Sequence, residues 1–194
     1  MQPSLKPRSK ELIRAIGIDD GHFTPKKKGK TKLVFVLLRA DNRLEGILSA
    51  DVTVDGTDST KTIIKTLSNS CFLEQARCIF LEGINFAGFN MADAQTISKK
   101  TGLPVIIVFR KQPDIEGIRK ALGKFRDSKK RISLLEKAGR IFRAEKIFFQ
   151  CHGIPEEGAR EAIRKFTIHS NFPEPVRIAH LVASAVTLGR STSP

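Results

Sequence analysis

Two kinds of hydrophobic pattern alternate along the chain. Dense apolar runs occur at LIRAIGIDD (12–20), LVFVLLRA (33–40) and LEGILSADVTVDG (44–56). Each reads as a β-strand, and the links between them are short: a basic loop, GHFTPKKKGKTK (21–32), and a turn, ADNR. Strands this close in sequence predict an antiparallel meander. In STKTIIKTLSNS (59–70) the apolar positions shift to 63, 64 and 67, which is helical spacing, and Thr57 or Asp58 is placed to cap that helix. ARCIFLEG (76–83) and LPVIIVFRK (103–111) return to the buried-strand pattern. Between them NMADAQTISKK (90–100) reads as a helix ended by Gly102 and Pro104. PDIEGIRKALGKF and DSKKRISLLEKAG read as helices, and KIFFQC (146–151) as a late strand. IPEEGAREAIRKF and PEPVRIAHLVASAVTLG are helices with proline in a first turn that tolerates it. The closing RSTSP carries no pattern and is expected to be disordered.

Three antiparallel strands followed by alternating helices and strands is the element order of a ribonuclease H-like α/β fold with a mixed sheet. The 194 residues, 40% hydrophobic, are read as one such domain spanning 1–194, ordered over 8–190. No apolar run is long enough to span a bilayer, and MQPSLKPRSK lacks the apolar segment of a secretory signal. Cys71, Cys78 and Cys151 form neither a zinc pattern nor a disulfide framework. A cytoplasmic, reducing setting is expected.

Charge adds the first functional signal. Thirty-four Lys and Arg against twenty Asp and Glu leave a net charge of +14. Such an excess points to a polyanionic partner, most simply nucleic acid. Against this background the acids at strand ends stand out: Asp19 and Asp20 close the first strand, Asp55 and Asp58 follow the third, and Glu82 closes the fourth. Parallel strands bring their C-terminal ends to one edge of a sheet, where open α/β sheets build sites. If the first and fourth strands are parallel neighbours, Asp19 and Glu82 converge. Carboxylates grouped there suit Mg²⁺ or Mn²⁺, which can activate water and stabilise both oxygens of a phosphodiester displacement. Asp19 and Asp20 face opposite sides of a regular strand, so one of the two serves such a site. Asp58 also fits an N-cap, and Asp55 a turn that bonds its own backbone.

GIDDGHF, VDGTD, LEGINFAGFN, TGLPVIIVFRK and PEPVRIAHLVASA together resemble the archaeal endonuclease dU family, which is related to endonuclease V. The resemblance runs from about residue 8 to 190. It implies a ribonuclease H-like fold and Mg²⁺-dependent cutting of DNA or RNA near a deaminated base, deoxyuridine first among them. It favours Asp19 in Gly17-Ile18-Asp19 as one metal ligand. It also implies Asp58, with Asp55 as rival, as a second ligand, and Glu82 before Gly83 as a third. His152, in His152-Gly153-Ile154-Pro155, would be an auxiliary catalytic residue near metal or phosphate. The Pro-Tyr-Ile-Pro wedge of endonuclease V has no counterpart here, and position 82 is Glu where that pattern has Asp.

Candidate nucleic-acid contacts are His22, Lys26, Lys27, Lys28, Lys30 and Lys111, with Arg119 and Lys120 beyond them, and Phe86 and Phe89 of FAGFN as base contacts. His180, among apolar residues of the last helix, reads as structural. Two other readings carry the same charge: a binding module that kept the fold without the chemistry, and a nuclease specific for branched DNA.

Overall fold

A computed structural model describes residues 13–25 and 27–192. The meander forms first, from β1 (Arg14–Asp20), β2 (Lys30–Arg39) and β3 (Leu44–Thr53). β1 pairs antiparallel with β2, and β2 with β3. The chain then passes through α1 (Ser59–Ser68) and a single turn, α2 (Phe72–Gln75), into β4 (Cys78–Glu82). A two-residue ribbon, β5 (Asn85–Phe86) and β6 (Asn90–Met91), precedes α3 (Ala94–Thr101) and β7 (Val105–Phe109). There follow α4 (Ile115–Leu122), α5 (Ser128–Lys137), β8 (Phe142–Ala144), β9 (Ile147–His152), α6 (Glu156–Phe166) and α7 (Glu174–Leu188). The seven-stranded sheet runs β3-β2-β1-β4-β7-β9-β8. β1, β4 and β7 are parallel, and β9 returns antiparallel to β7. The mixed sheet is the ribonuclease H-like arrangement expected from element order. Among the described residues no helix is long and apolar enough to cross a membrane.

Strand alternation divides the core between two faces. Ile16 and Ile18 of β1, with Ile79 and Leu81 of β4, pack under α1, α3, α4 and α5. Ala15, Cys78, Phe80, Ile106 and Val108 point the other way, toward α6 and the start of α7. Val34, Val36 and Leu38 of β2 lie beneath Ala179 and Ala183 of α7. Each of those three side chains contributes about 1.5–3 kcal/mol by leaving water. The small residues of α7 let the helix lie close. Gly17 matters most to that approach, because a Cβ there would sit 2.1 Å from the carbonyl of Pro175.

Three local expectations change. The helix predicted from residue 90 starts at Ala94, because Asn90 and Met91 pair with Asn85 and Phe86. Asp93 caps it, accepting from the Thr96 N–H at 2.8 Å. Asp58 stands at the N-cap position of α1 without a side-chain cap bond. Instead the Asn90 side-chain Oδ1 accepts the Ser59 N–H at 3.0 Å, a cap supplied from 31 residues away. The tail predicted to be disordered folds back at Thr192, whose N–H donates to Ser184 Oγ at 3.1 Å. Residues 1–12, 26 and 193–194 lie outside the described residues, and with them the starts of the first predicted strand and of the predicted ordered range.

Candidate metal centre

Parity and register assemble one edge of the sheet. Asp19 has the parity of Ala15 and Gly17, and Glu82 that of Cys78 and Phe80, so both carboxylates face α7. Ile18 pairs with Leu81, which places Asp19 beside Glu82. Arg110 follows β7 with the parity of Ile106 and Val108, and it completes the row. From above, α7 lowers His180 onto Asp19: His180 Nδ1 is 2.7 Å from Asp19 Oδ2. Potential ligand atoms of Asp19, Glu82 and His180 all lie within 4.8 Å of one another.

One buried polar atom of this cluster lacks a partner among the described residues. The second ring nitrogen of His180 lies 3.1 Å from Thr192 Oγ1. Arg110 Nε donates to Glu82 Oε1 at 3.0 Å, and its guanidinium lies 3.9 Å from the centre of the Phe172 ring. Glu82 Oε2 is buried and has no hydrogen-bond partner among the described residues. A buried carboxylate oxygen left unpaired is unfavourable, and a cation would satisfy it. Two carboxylates converging in this way offer the oxygen donors that Mg²⁺ and Mn²⁺ prefer. The donor set therefore fits a divalent cation, which Asp19 and Glu82 could hold. His180, engaged at both nitrogens, orients Asp19 rather than presenting a bare ligand nitrogen.

Burial dominates the electrostatics of the two adjacent acids. Burial raises the Asp19 pKa, the Glu82 charge adds to that, and the His180 hydrogen bond opposes it. Bonding to Asp19 raises His180 in turn, against its own burial. Asp20 is pushed up to about 7 by burial and by the charge of Asp19, although the Ala87 N–H bonds it. Asp20 faces the opposite side of the sheet from Asp19, as alternation requires, and its Oδ2 accepts the Ala87 N–H at 2.8 Å.

The other predicted site residues lie elsewhere. Asp55 and Asp58 do not join the cluster; they hold the 85–91 loop. Asp55 Oδ1 accepts the Phe89 N–H at 2.9 Å. Asp58 takes hydrogen bonds from the Thr53 hydroxyl at 2.7 Å and from the Asn90 amide. Burial raises the Asp58 pKa, but these bonds outweigh it and hold the group below the usual carboxylate range. Arg131 closes the arrangement by donating to the carbonyls of Phe89 and Asp55. His152 is not brought to the cluster either. It pairs with Val105 at the start of β7, whereas Glu82 pairs with Val108 near its end. The two thus occupy opposite edges, and the His152 ring lies 3.1 Å from the Ala138 carbonyl. Burial lowers the His152 pKa.

Among the proposed nucleic-acid contacts, Phe86 is fully buried and closed to a base. Phe89 packs edge-to-face on Phe125 at 5.5 Å between ring centres. Arg119 is paired with Glu136 at 2.9 Å. Lys27 and Lys28 are exposed on the loop that leaves the Asp19 end of β1, as is His22, and Lys30 is exposed at the start of β2. Lys111 and Lys120 are exposed, and Lys26 lies outside the described residues. Sequence reading missed His180 and Arg110. The signal for Arg110 was its parity with Ile106 and Val108. The signal for His180 was the need of a buried Asp19 for a partner.

Comparison with known proteins places this geometry in context. The family described as "Endonuclease dU" matches residues 11–187. A UPF0215 protein of Methanothermobacter thermautotrophicus is 45% identical, covering 94% of this chain and 91% of that protein. A crystal structure of a protein of unknown function from Archaeoglobus fulgidus has a TM-score of 0.84 at 37% identity, over 90% of this chain and 98% of that one. Ciona intestinalis endonuclease V, solved with a DNA containing inosine followed by a ribo-adenosine, has a TM-score of 0.55 at 14% identity, over 87% of this chain and 83% of that one.

Proposed function

The chain belongs to the endonuclease dU family, and from that premise we propose that it is a metal-dependent endonuclease hydrolysing a phosphodiester of DNA near a deaminated base, deoxyuridine foremost. The observation that carries this reading is the convergence of Asp19, Glu82 and His180 around an unpaired buried carboxylate oxygen. The inosine-containing DNA bound by the Ciona endonuclease V, a protein of related fold, supports a nucleic-acid substrate with a deaminated base.

Each residue then has a task. Asp19 and Glu82 hold the cation, and a cation so held supplies an activated water and charge stabilisation at the leaving oxygen. His180 fixes the rotamer of Asp19. Arg110 fixes Glu82 through Nε and keeps a partly exposed guanidinium edge for a phosphate oxygen. The exposed lysines of the β1–β2 loop attract the backbone at the same edge. Asp20, Asp55, Asp58 and Arg131 hold the 85–91 loop on the other face of the sheet.

The test is incubation of labelled duplexes carrying uracil, hypoxanthine or neither, with Mg²⁺, Mn²⁺ or EDTA. Cutting confined to the lesion-bearing strand and abolished by EDTA is expected. Equal cutting of undamaged branched DNA would shift the reading to a structure-specific nuclease. Binding without cutting under every condition would leave a nucleic-acid-binding protein.

A further inference from the structure

A cavity of about 180 Å³ lies between the β8–β9 turn and the C-terminal half of α6. Glu145, in a left-handed conformation with φ 51°, turns the chain so that Lys146 borders the cavity. Arg160 and Arg164, one helical turn apart on α6, form another wall, and Thr167 and Asn171 complete the lining. Arg160 is held in place: its Nε and Nη2 donate to Glu156 Oε1, and its Nη1 to the Arg143 carbonyl. Among the described residues Lys146 and Arg164 have no ion-pair partner. Thr167 Oγ1 is buried and has no hydrogen-bond partner among the described residues. Glu145 also lines the space and Glu156 offsets the charge of Arg160, which leaves Lys146, Arg164 and the idle Thr167 hydroxyl as the donors for a phosphate group.

Position gives the cavity a purpose. Phe109 ends β7 and pairs with Phe148, and the turn at 145–146 continues beyond that pair. The cavity therefore opens at the sheet edge that carries Asp19 and Glu82. Asn171 immediately precedes Phe172, the ring under Arg110. The lining is thus one residue along the chain from the ring that Arg110 covers. No aromatic side chain lines it, so it offers a base no stacking surface. We infer that this cavity is a phosphate subsite, holding a backbone phosphate of the nucleic-acid strand apart from the one that is cut. The inference rests on the nuclease reading for its ligand, while its tests need no cutting.

Two measurements test it, both in EDTA. In the first, thermal melting compares inorganic phosphate with chloride at equal ionic strength. Phosphate is expected to raise the melting temperature of the unmutated chain, and Thr167→Val is expected to lose most of that rise. Valine fills the same space and removes an unpaired hydroxyl, so a merely structural Thr167 would leave the phosphate effect intact. That outcome overturns the proposal. In the second, binding of a lesion-free duplex is followed against salt. Lys146→Ala/Arg164→Ala is expected to reduce the slope of log K on log salt by about 0.9, one phosphate contact. The control is Lys99→Ala/Lys100→Ala on the exposed side of α3, with the same loss of charge. Equal reductions in both variants would show bulk charge alone and overturn the subsite. A phosphate effect on melting without a change of slope would assign the cavity to a free oxyanion and overturn the backbone contact. Failure of the cutting assay alone would leave both readouts standing.

Discussion

At the scale of single residues, the adjacent pair Asp19 and Asp20 makes the sharpest contrast. Both are carboxylates at the end of one strand, yet one faces Glu82 and His180 and the other a loop amide. Asp19→Asn is expected to reduce Mg²⁺-dependent cutting by more than the roughly 10–100-fold that loss of an outer partner costs a metal site. Mn²⁺ is expected to raise the melting temperature of the unmutated chain, and Asp19→Asn to abolish that rise. His180→Ala, which frees Asp19 to rotate, should fall within that 10–100-fold range and retain a weakened Mn²⁺ response. Equal losses in Asp19→Asn and Asp20→Asn would show that both acids serve the metal. Asp20 makes a separate prediction about pH. Unfolded, it titrates near 3.8, and folded, near 7. The folded form therefore binds the proton more tightly, and Asp20 lowers stability as pH rises from about 4 to about 7. Without metal, Asp20→Asn is expected to raise the melting temperature at pH 8 and to change it little at pH 4. A destabilised variant at pH 8 would show that the ionised carboxylate is needed to hold the 85–91 loop. The acids at strand ends were visible in the sequence because few structural needs place charge at the end of a buried strand. His180 and the true tasks of Asp55 and Asp58 were not, since each is set by a partner more than 30 residues away, except the local Thr53 bond of Asp58.

At the scale of elements, the site depends on how closely α7 lies on β1. Gly17 is the contact that sets this distance, and Gly17→Ala would drive a methyl group into the Pro175 carbonyl. The variant is expected to fold with a lower melting temperature and to lose Mn²⁺ binding out of proportion to that loss, because lifting α7 withdraws His180 from Asp19. Unchanged metal binding would mean that the helix shifts without carrying the imidazole. The dense runs of β1, β2, β4 and β7 were legible because strands buried on both faces leave no polar alternation to confuse them. The short β5–β6 ribbon and β8 were not legible. Two or three residues carry no period, and their pairing is decided by what lies opposite. The start of α3 was misplaced for the same reason, since Asn90 is recruited to cap α1.

At the scale of the whole molecule, charge and chemistry separate. The chain is strongly basic, yet Asp19 and Glu82 meet at one edge of the sheet, so binding and cutting should respond to different conditions. Duplex affinity is expected to fall steeply with salt, by about 0.9 in the log–log slope for each phosphate contact, and to survive EDTA. A nearly salt-independent affinity would return the charge to a role in solubility. The parts of the cluster also come from distant stretches of the chain, β1, β4 and the last helix. A ribosome delivers them in that order. While α7 is still unmade, Gly17 is uncovered, Val34, Val36 and Leu38 have no lid, and Asp19 has no imidazole. A growing chain thus exposes apolar side chains on the very face that will later carry the Asp19–Glu82 cluster, and it lacks the imidazole that bonds Asp19. Packing of α7 is therefore the step that brings the three parts of the cluster together.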